Sequence, residues 1–222
     1  MNATIVGVLF ITATVASIVA GIFLQPVLDD PDYLNSGSAN ENRVAIGALL
    51  ELIAAGAVVG TGVMLFPVFK KFNEGLALGY ASGRSIEGVI IIIGAIGTLL
   101  LLTLGREYVA GAPAASYFQA SSTLLLALRG WALVVGPMIV FSLNDLILNY
   151  LFFQSRLIPR FLSVWGLIGA PLILAAGLLV MFGRIPPSGK IVILLALPVA
   201  VFEMVLALWL IVKGFNFVSD LV

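Results

Sequence analysis

The sequence contains no cysteine and no histidine, and these two absences exclude several kinds of chemistry. Without cysteine there are no disulfides, no thiolate metal sites and no cysteine nucleophile. Without histidine the chain lacks the commonest metal ligand and the side chain that most often carries protons near neutral pH. Haem held by histidine, zinc-dependent hydrolysis and a serine–histidine–aspartate triad are therefore excluded. We expect no metal site and no cofactor.

Charged residues are also scarce, at 10% of the chain, whereas a typical soluble domain has about 25%. Hydrophobic residues make up 61% of the 222 residues, and the mean hydropathy is +1.18. So few polar side chains cannot cover a water-facing surface, and the composition is typical of an integral membrane protein. The 11 basic and 11 acidic residues give a net charge of zero, so we expect no nucleic-acid partner.

Six long apolar stretches predict six transmembrane helices, because each reaches the roughly 17–25 residues that cross a bilayer core. They are Ala3–Leu28, Arg43–Phe69, Glu74–Leu102, Ala120–Phe153, Phe161–Phe182 and Ile191–Val212. The fourth is unusually long and contains Pro137, which predicts a tilt, a kink or an emergence into the interface. We expect an all-α polytopic membrane protein in which residues 1–222 form a single six-helix transmembrane domain, one bundle.

The first apolar stretch is interpreted as a spanning helix and not as a cleaved leader. Residues 5–28 stay apolar for longer than the 7–15 residues of a signal-peptide core, and no lysine or arginine precedes them.

The basic residues outside the hydrophobic cores predict the orientation in the membrane. Six spans place both termini and the second and fourth loops on one side. That side carries Lys70, Lys71, Arg156, Arg160 and Lys213, and the other carries Arg43, Arg106, Arg184 and Lys190. Basic loops stay cytoplasmic, so this bias of five against four predicts a multi-pass inner-membrane protein with both termini in the cytoplasm.

Small residues recur at every fourth position on three of the predicted helices. They are Ala13, Ser17 and Gly21 on the first, Gly56 and Gly60 on the second, and Gly75, Gly79 and Gly83 on the third. Such spacing lets helix backbones approach closely in lipid. We interpret these faces as packing within the bundle, with contact between copies of the chain in an oligomer as the alternative.

Polar residues inside the predicted spans are the candidate functional residues, because each ionisable group in hydrocarbon costs several kcal/mol unless it is paired or hydrated. The candidates that would line a cavity or carry protons or ions are Glu51, Arg84, Glu87, Arg129, Asn144, Asp145 and Glu203. No catalytic residue is assigned among them.

The positions of these residues predict how they pair. Glu51 and Arg129 lie at the same depth on different helices, which predicts an ion pair. Arg84 and Glu87 are three residues apart and share a helix face. Glu203 has no charged partner on its own helix, so it must meet Arg84 or Arg129, water or a proton. Asn144 and Asp145 lie near the end of the fourth span, where a polar cap and a functional role are both open.

Three segments together resemble a bacterial membrane family known as domain-of-unknown-function family 4386. They are ANENR at 39–43 leading into GALLEL at 47–52, FNEGLALGY at 72–80 followed by Arg84 and Glu87, and RLIPRFLSVWG at 156–166. The resemblance extends over nearly the whole chain. It implies six spanning helices in a prokaryotic inner membrane, and it implies no activity.

The leading functional hypothesis is a small-solute or proton-linked transport or binding protein with a charged intramembrane cavity. The alternatives are a membrane enzyme acting on a lipid or quinone, with Glu87 or Glu203 as general acid or base, and a structural membrane partner. The expected partners are membrane lipids and a small molecule or ion. A cavity that opens sideways to the bilayer favours the enzyme, and one open to an aqueous face favours the transporter. Dry, paired charges favour the structural role.

Overall fold

The computed structural model describes residues 3–111 and 115–216, and this part of the chain is helical with no β-strand. The helices are α1 (Ala3–Leu28), α2 (Tyr33–Ala39), α3 (Glu41–Phe69), α4 (Glu74–Val109), α5 (Ala115–Val134), α6 (Phe141–Ser155), α7 (Arg160–Met181) and α8 (Lys190–Val212). A π-helical segment, Val135–Val140, joins α5 to α6, so the three form one continuous helix.

Six of these helices are long and apolar enough to cross a membrane: α1, α3, α4, the continuous α5–α6 helix, α7 and α8. The chain is therefore an all-α, multi-pass membrane protein, as the sequence predicts. The spans alternate in direction, because each contacts the next along the chain through a short connection.

The two ends of the bundle are fixed by contacts between residues far apart in sequence. At one end, which we call the terminus side, Gly7 of α1 lies against Ala207 of α8, and Phe69 at the end of α3 stacks on Phe152 of α6 at 5.0 Å between ring centroids. At the other end, which we call the α2 side, Arg106 at the end of α4 forms an ion pair with Glu41 at the start of α3.

Helix α2 corrects the sequence prediction, which left residues 29–42 as a connection between the first two spans. Its seven residues, YLNSGSA, have no apolar periodicity and form a helix because of tertiary contacts. Leu34 is buried, its carbonyl oxygen lies close to Gly105 of α4, and the hydroxyls of Tyr33 and Ser122 are 2.7 Å apart. The structure also extends α4 to Val109, beyond the predicted Leu102, and begins the fourth span before Ala120.

The glycine spacing predicts the helix contacts only in part. A Cβ on Gly83 would collide with the Asn144 amide, and one on Gly60 would lie 3.2 Å from Leu9, so these two positions pack within the bundle as expected. A Cβ on Gly21 or Gly56 would meet nothing within 4 Å. For those two, the interpretation as packing within the bundle is wrong.

Pro137 lies inside the π-helical segment of the fourth span. Proline has no N–H to donate and its ring crowds the preceding turn, so the regular α-helical hydrogen bonds are interrupted there. Single π turns are common at functional sites, and this one borders both cavities described below.

Candidate functional site

A cavity with charged residues in its wall lies between α1, α3, α4, α6, α7, α8 and the π segment, with a volume of about 260 Å³. We call it the Arg84 cavity. Most of its wall is apolar, and three hydroxyl-bearing residues, Thr14, Ser17 and Thr61, add polar groups. Its charged residues are Arg84, Glu87 and Glu203. The structure therefore brings these three of the seven candidate residues together at one cavity.

Arg84 is held by polar and aromatic groups from several helices. Its Nη1 donates to Oε2 of Glu87 at 3.0 Å, and its Nε donates to the hydroxyl of Tyr80 at 3.1 Å. The guanidinium carbon lies 5.5 to 5.6 Å from the ring centroids of Phe10, Tyr80 and Phe141, within cation–π range. These contacts stabilise a cation whose side chain is only 3% exposed.

Glu203 is held more loosely than Glu87. Its Oε1 lies 3.8 Å from Nη2 of Arg84, too far for a hydrogen bond. The Glu203 side chain is 16% exposed, against 4% for Glu87. Of the two carboxyl groups, Glu203 is therefore the one that presents its charge to the cavity.

A third carboxyl group, Asp145 of α6, lies next to the cavity without lining it. Asp145 is within electrostatic range of Arg84, Glu87 and Glu203. Its Oδ1 accepts a hydrogen bond from Nδ2 of Asn149 at 2.9 Å. Its Oδ2 is buried and has no hydrogen-bond partner among the described residues. Asp145 is thus the second carboxyl group near Arg84, after Glu203, that accepts no hydrogen bond from an arginine.

Asn144 lies on the same turn, beside Glu87 and against Gly83. It is 3% exposed, and its Nδ2 has no hydrogen-bond partner in the described part of the chain. Asn144 and Asp145 are therefore buried within the helix bundle beside the ion cluster, and not at an exposed helix cap.

The smaller cavity, which we call the Arg129 cavity, has a volume of about 180 Å³ and is lined by Glu51 and Arg129. Nη2 of Arg129 lies 2.7 Å from Oε1 of Glu51, and Nη1 donates to Oε2 of Glu51 at 3.0 Å and to Thr98 at 2.6 Å. This two-point ion pair confirms the predicted contact between Glu51 and Arg129. The alternative partner for Arg129, Glu203, pairs with Arg84 instead.

The two cavities are neighbours, because Ser17, Ile91 and Pro137 line both. They differ in charge. The Arg129 cavity has one arginine and one carboxyl group, whereas the Arg84 cluster has one arginine and three carboxyl groups, Glu87, Asp145 and Glu203. No group of three or more acidic side chains within the described residues could hold a metal ion.

The Arg84 cavity reaches the surface of the bundle between α1 and α8. Ser17, Ile18 and Ala200 line it and are exposed. At about 1.5 Å per residue, Ser17 and Ala200 lie roughly 18–21 Å from the terminus-side ends of their helices. That depth falls inside the roughly 30 Å hydrocarbon core. The cavity therefore opens sideways toward lipid.

Comparison with known proteins identifies the family. Residues 5–214 match the family described as domain of unknown function DUF4386. The chain belongs to this family. No curated protein and no solved structure matches it.

In this DUF4386 chain, the sequence predicts the charged residues of the site but not the uncharged side chains that contact them. Tyr80, Phe10 and Phe141 surround Arg84, and Thr98 binds Arg129. Only Tyr80 carried a usable signal, since it lies four residues before Arg84 on the same helix face. The other three come from different helices, and their contacts depend on helix rotations that the sequence does not specify.

Proposed function

We propose that this protein binds and transports a small solute in exchange for protons, and that the Arg84 cavity is the binding site. The observation that carries the proposal is the charge imbalance around Arg84. One guanidinium neutralises one carboxylate, so Glu87, Asp145 and Glu203 together leave two negative charges uncompensated. Each uncompensated charge in hydrocarbon costs several kcal/mol. We therefore propose that two of the three carboxyl groups hold a proton or a bound positive group.

The Arg129 cavity provides a comparison within the same protein, because its charged residues form a balanced ion pair of the kind expected for a structural role. Glu51 and Arg129 pair one to one with two close contacts, so no proton or ligand is needed for neutrality. A site that binds protons and a solute in turn needs more groups of one charge sign than of the other. The Arg84 cluster has such an excess of carboxyl groups. This contrast favours a binding function for Arg84, Glu87, Asp145 and Glu203 over a purely structural one.

A membrane enzyme is the second candidate, and the sideways opening of the cavity favours it. A lipid-soluble substrate could reach Glu203 as a general acid or base. The cavity is just below the roughly 300–1,000 Å³ of typical small-molecule sites, so it would hold only part of a lipid. In either role we place the protein in the inner membrane, with both termini in the cytoplasm.

The proton content of the cluster is testable without knowing the solute. Infrared spectroscopy of the protein in lipid at neutral pH should show the C=O stretch of protonated carboxylic acids. Glu203→Gln and Asp145→Asn should each weaken this band, since each removes one carboxyl group from the cluster. Glu51→Gln is the matched control and should leave the band unchanged, because Glu51 pairs one to one with Arg129 and lies outside the Arg84 cluster. Absence of the band from the wild-type protein would refute the proposal.

The exchange is tested with six probes that vary charge and lipid solubility independently. They are tetramethylammonium, methyl sulfate, methanol, decyltrimethylammonium, decyl sulfate and decanol. Each is added to protein in lipid nanodiscs with a soluble pH dye. At least one should release protons from the wild-type protein, and none from Glu203→Gln. If none of the six releases protons in a Glu203-dependent way, the exchange proposal fails.

A further inference from the structure

We infer that the solute is a lipid-partitioning organic cation that reaches the Arg84 cavity from the bilayer, through an opening between α1 and α8. We call this opening the α1–α8 portal and define it by Ser17, Ile18 and Ala200. The inference rests on the proposed function, since the cation replaces a proton there, and it adds the chemical class of the ligand and its route.

The helix geometry explains why the portal exists. On the terminus side, a Cβ added to Gly7 would lie 2.6 Å from the carbonyl oxygen of Ala207, so α1 and α8 are in close contact there. One to three turns further along, residues of the same two helices border a cavity: Phe10, Ala13, Thr14 and Ser17 on α1, and Ala196, Ala200 and Glu203 on α8. The helices therefore diverge away from the terminus side, and the small side chain of Ala200 leaves the gap open.

The surface around the portal faces lipid. Val15, Ile18 and Ile22 of α1 are 49%, 59% and 61% exposed, and Leu197 and Val201 of α8 are 54% and 41% exposed. Exposed aliphatic side chains in the middle of a spanning helix contact hydrocarbon. A solute that uses this portal must therefore first dissolve in the bilayer.

The charges inside the cavity select a cation. Arg84 donates to Glu87 and to the Tyr80 hydroxyl and lies against three aromatic rings, and its Nη2 faces Glu203 at 3.8 Å, so a bound anion would add to the excess of carboxyl groups that already surrounds this arginine. Glu203 is the more exposed carboxyl group, and the cluster carries an excess of carboxyl groups. A positive head group at Glu203 replaces a proton, and its apolar tail fits the apolar wall and extends through the portal.

The cavity volume is consistent with a head group and a short part of a chain. About 260 Å³ is close to nine times the roughly 30 Å³ that one water occupies in the liquid. A trimethylammonium group with several methylenes fits, and a complete phospholipid does not. The remaining chain of a longer amphiphile would stay in the bilayer.

The test compares decyltrimethylammonium with the other five probes in nanodiscs, by titration calorimetry corrected with empty discs. Decyltrimethylammonium should bind saturably and release protons, which must come from the protein because a quaternary ammonium carries none. Decanol and decyl sulfate should neither bind at this site nor compete. Tetramethylammonium, which lacks the chain, should bind at least about tenfold more weakly.

The portal is tested with Ala200→Trp, which fills the gap, and Ala127→Trp, an exposed alanine of the fourth span that lines neither cavity. Ala200→Trp should weaken binding by about tenfold or more, and Ala127→Trp should match the wild type. If Ala200→Trp does not fold, Ser17→Leu narrows the portal from α1 and should weaken binding in the same way. If the portal variant that folds changes neither the affinity nor the rate of proton release after mixing, the lateral route is overturned.

Each remaining outcome separates the inference from the proposed function. Glu203-dependent proton release by tetramethylammonium, methyl sulfate or decanol alone would refute the lipid-soluble cation and keep the exchange function. An infrared band of protonated carboxyl groups with no effect of decyltrimethylammonium would also refute the lipid-soluble cation, and the exchange function would then stand only if another of the six probes releases protons in a Glu203-dependent way. Absence of that band would refute both.

Discussion

Arg84 shows how a single residue is accommodated in the membrane interior. Its positive charge faces the carboxyl groups of Glu87 and Glu203, and its Nε donates a hydrogen bond to the Tyr80 hydroxyl. Aromatic rings from α1, α4 and α6 lie within cation–π distance of the guanidinium. The sequence alone predicts the contact with Glu87, because both lie on one face of one helix. The contact with Glu203 was one of several alternatives, since it depends on how α4 and α8 are rotated.

At Glu51 and Arg129 we predict that breaking the pair costs more than deleting it. Glu51→Leu leaves a buried guanidinium with Thr98 as its remaining hydrogen-bond partner among the described residues, and it should destabilise the protein by about 3–5 kcal/mol. The double variant Glu51→Leu with Arg129→Leu removes both charges and should recover most of that loss. Thermal unfolding of the single and double variants in one detergent measures the difference. A double variant as unstable as the single one would contradict this prediction.

Asp145 provides a second prediction for a single residue. Asp145→Asn keeps the Oδ1 acceptor for Asn149 and removes one carboxyl group from a cluster with too many. We expect it to raise the unfolding temperature, by the equivalent of about 1 kcal/mol. Asp145→Ala is the control, because it removes the same charge together with the hydrogen bond and should give a smaller gain or a loss. A clear fall in the unfolding temperature of Asp145→Asn would show that the charge itself stabilises the fold.

At the scale of a helix, α4 carries three evenly spaced glycines with different surroundings. A Cβ added at Gly83 would collide with the Asn144 amide, one at Gly79 would meet Ile147 at 3.9 Å, and one at Gly75 would meet Asn73 at 3.6 Å. The sequence pattern treats the three as equivalent. The difference arises because only the Gly83 position faces the buried polar turn of α6.

We predict that Gly83→Ala lowers stability and Gly79→Ala does not. A methyl group at position 83 displaces Asn144, and overpacking of this kind typically costs about 1–3 kcal/mol. At position 79 the methyl has room, and alanine favours the helix over glycine by up to about 1 kcal/mol. Thermal unfolding of the two variants side by side tests this, and equal effects at both positions would mean that α4 does not pack on Asn144 as described.

The continuous α5–α6 helix shows where prediction from sequence stops at the level of an element. Pro137 predicts an irregularity, and the structure has a π segment at that position. Which irregularity forms depends on neighbours, because the π turn lies against α4, where a Cβ on Gly136 would come within 2.9 Å of Ile90. Helix α2 was missed for the same reason, since its contacts and not its composition make it helical.

For the whole molecule, the hydropathy pattern was sufficient to predict six spans, because an apolar segment of this length satisfies its backbone hydrogen bonds in lipid by forming a helix. The depth of charged residues was sufficient to predict the Glu51–Arg129 pair. It was not sufficient to predict the imbalance around Arg84, which requires Asp145 to lie within range of Glu203 across two helices. Nor did it predict the α1–α8 portal, which depends on the angle between two helices that are far apart in sequence.

The orientation of the whole bundle is the last prediction, and it follows from where the basic residues lie. The connections after α3 and α6 are both on the terminus side, where Lys70 lies 5.8 Å from the centroid of the Phe66 ring and Arg160 lies 5.0 Å from that of Phe153. Basic residues beside the ends of spans are retained in the cytoplasm, so reporter fusions after residues 72 and 158 should both report cytoplasm.

A fusion after residue 187, between α7 and α8, is the matched control for these two and should report periplasm. A periplasmic signal at residue 72 or 158 would mean that the protein has the opposite orientation in the membrane. Inversion would leave the Arg84 cavity and its portal intact, because Arg84 and Glu203 both lie roughly 14–15 Å from the terminus-side ends of their helices, near the middle of the core. It would exchange only the aqueous faces between which the protons move.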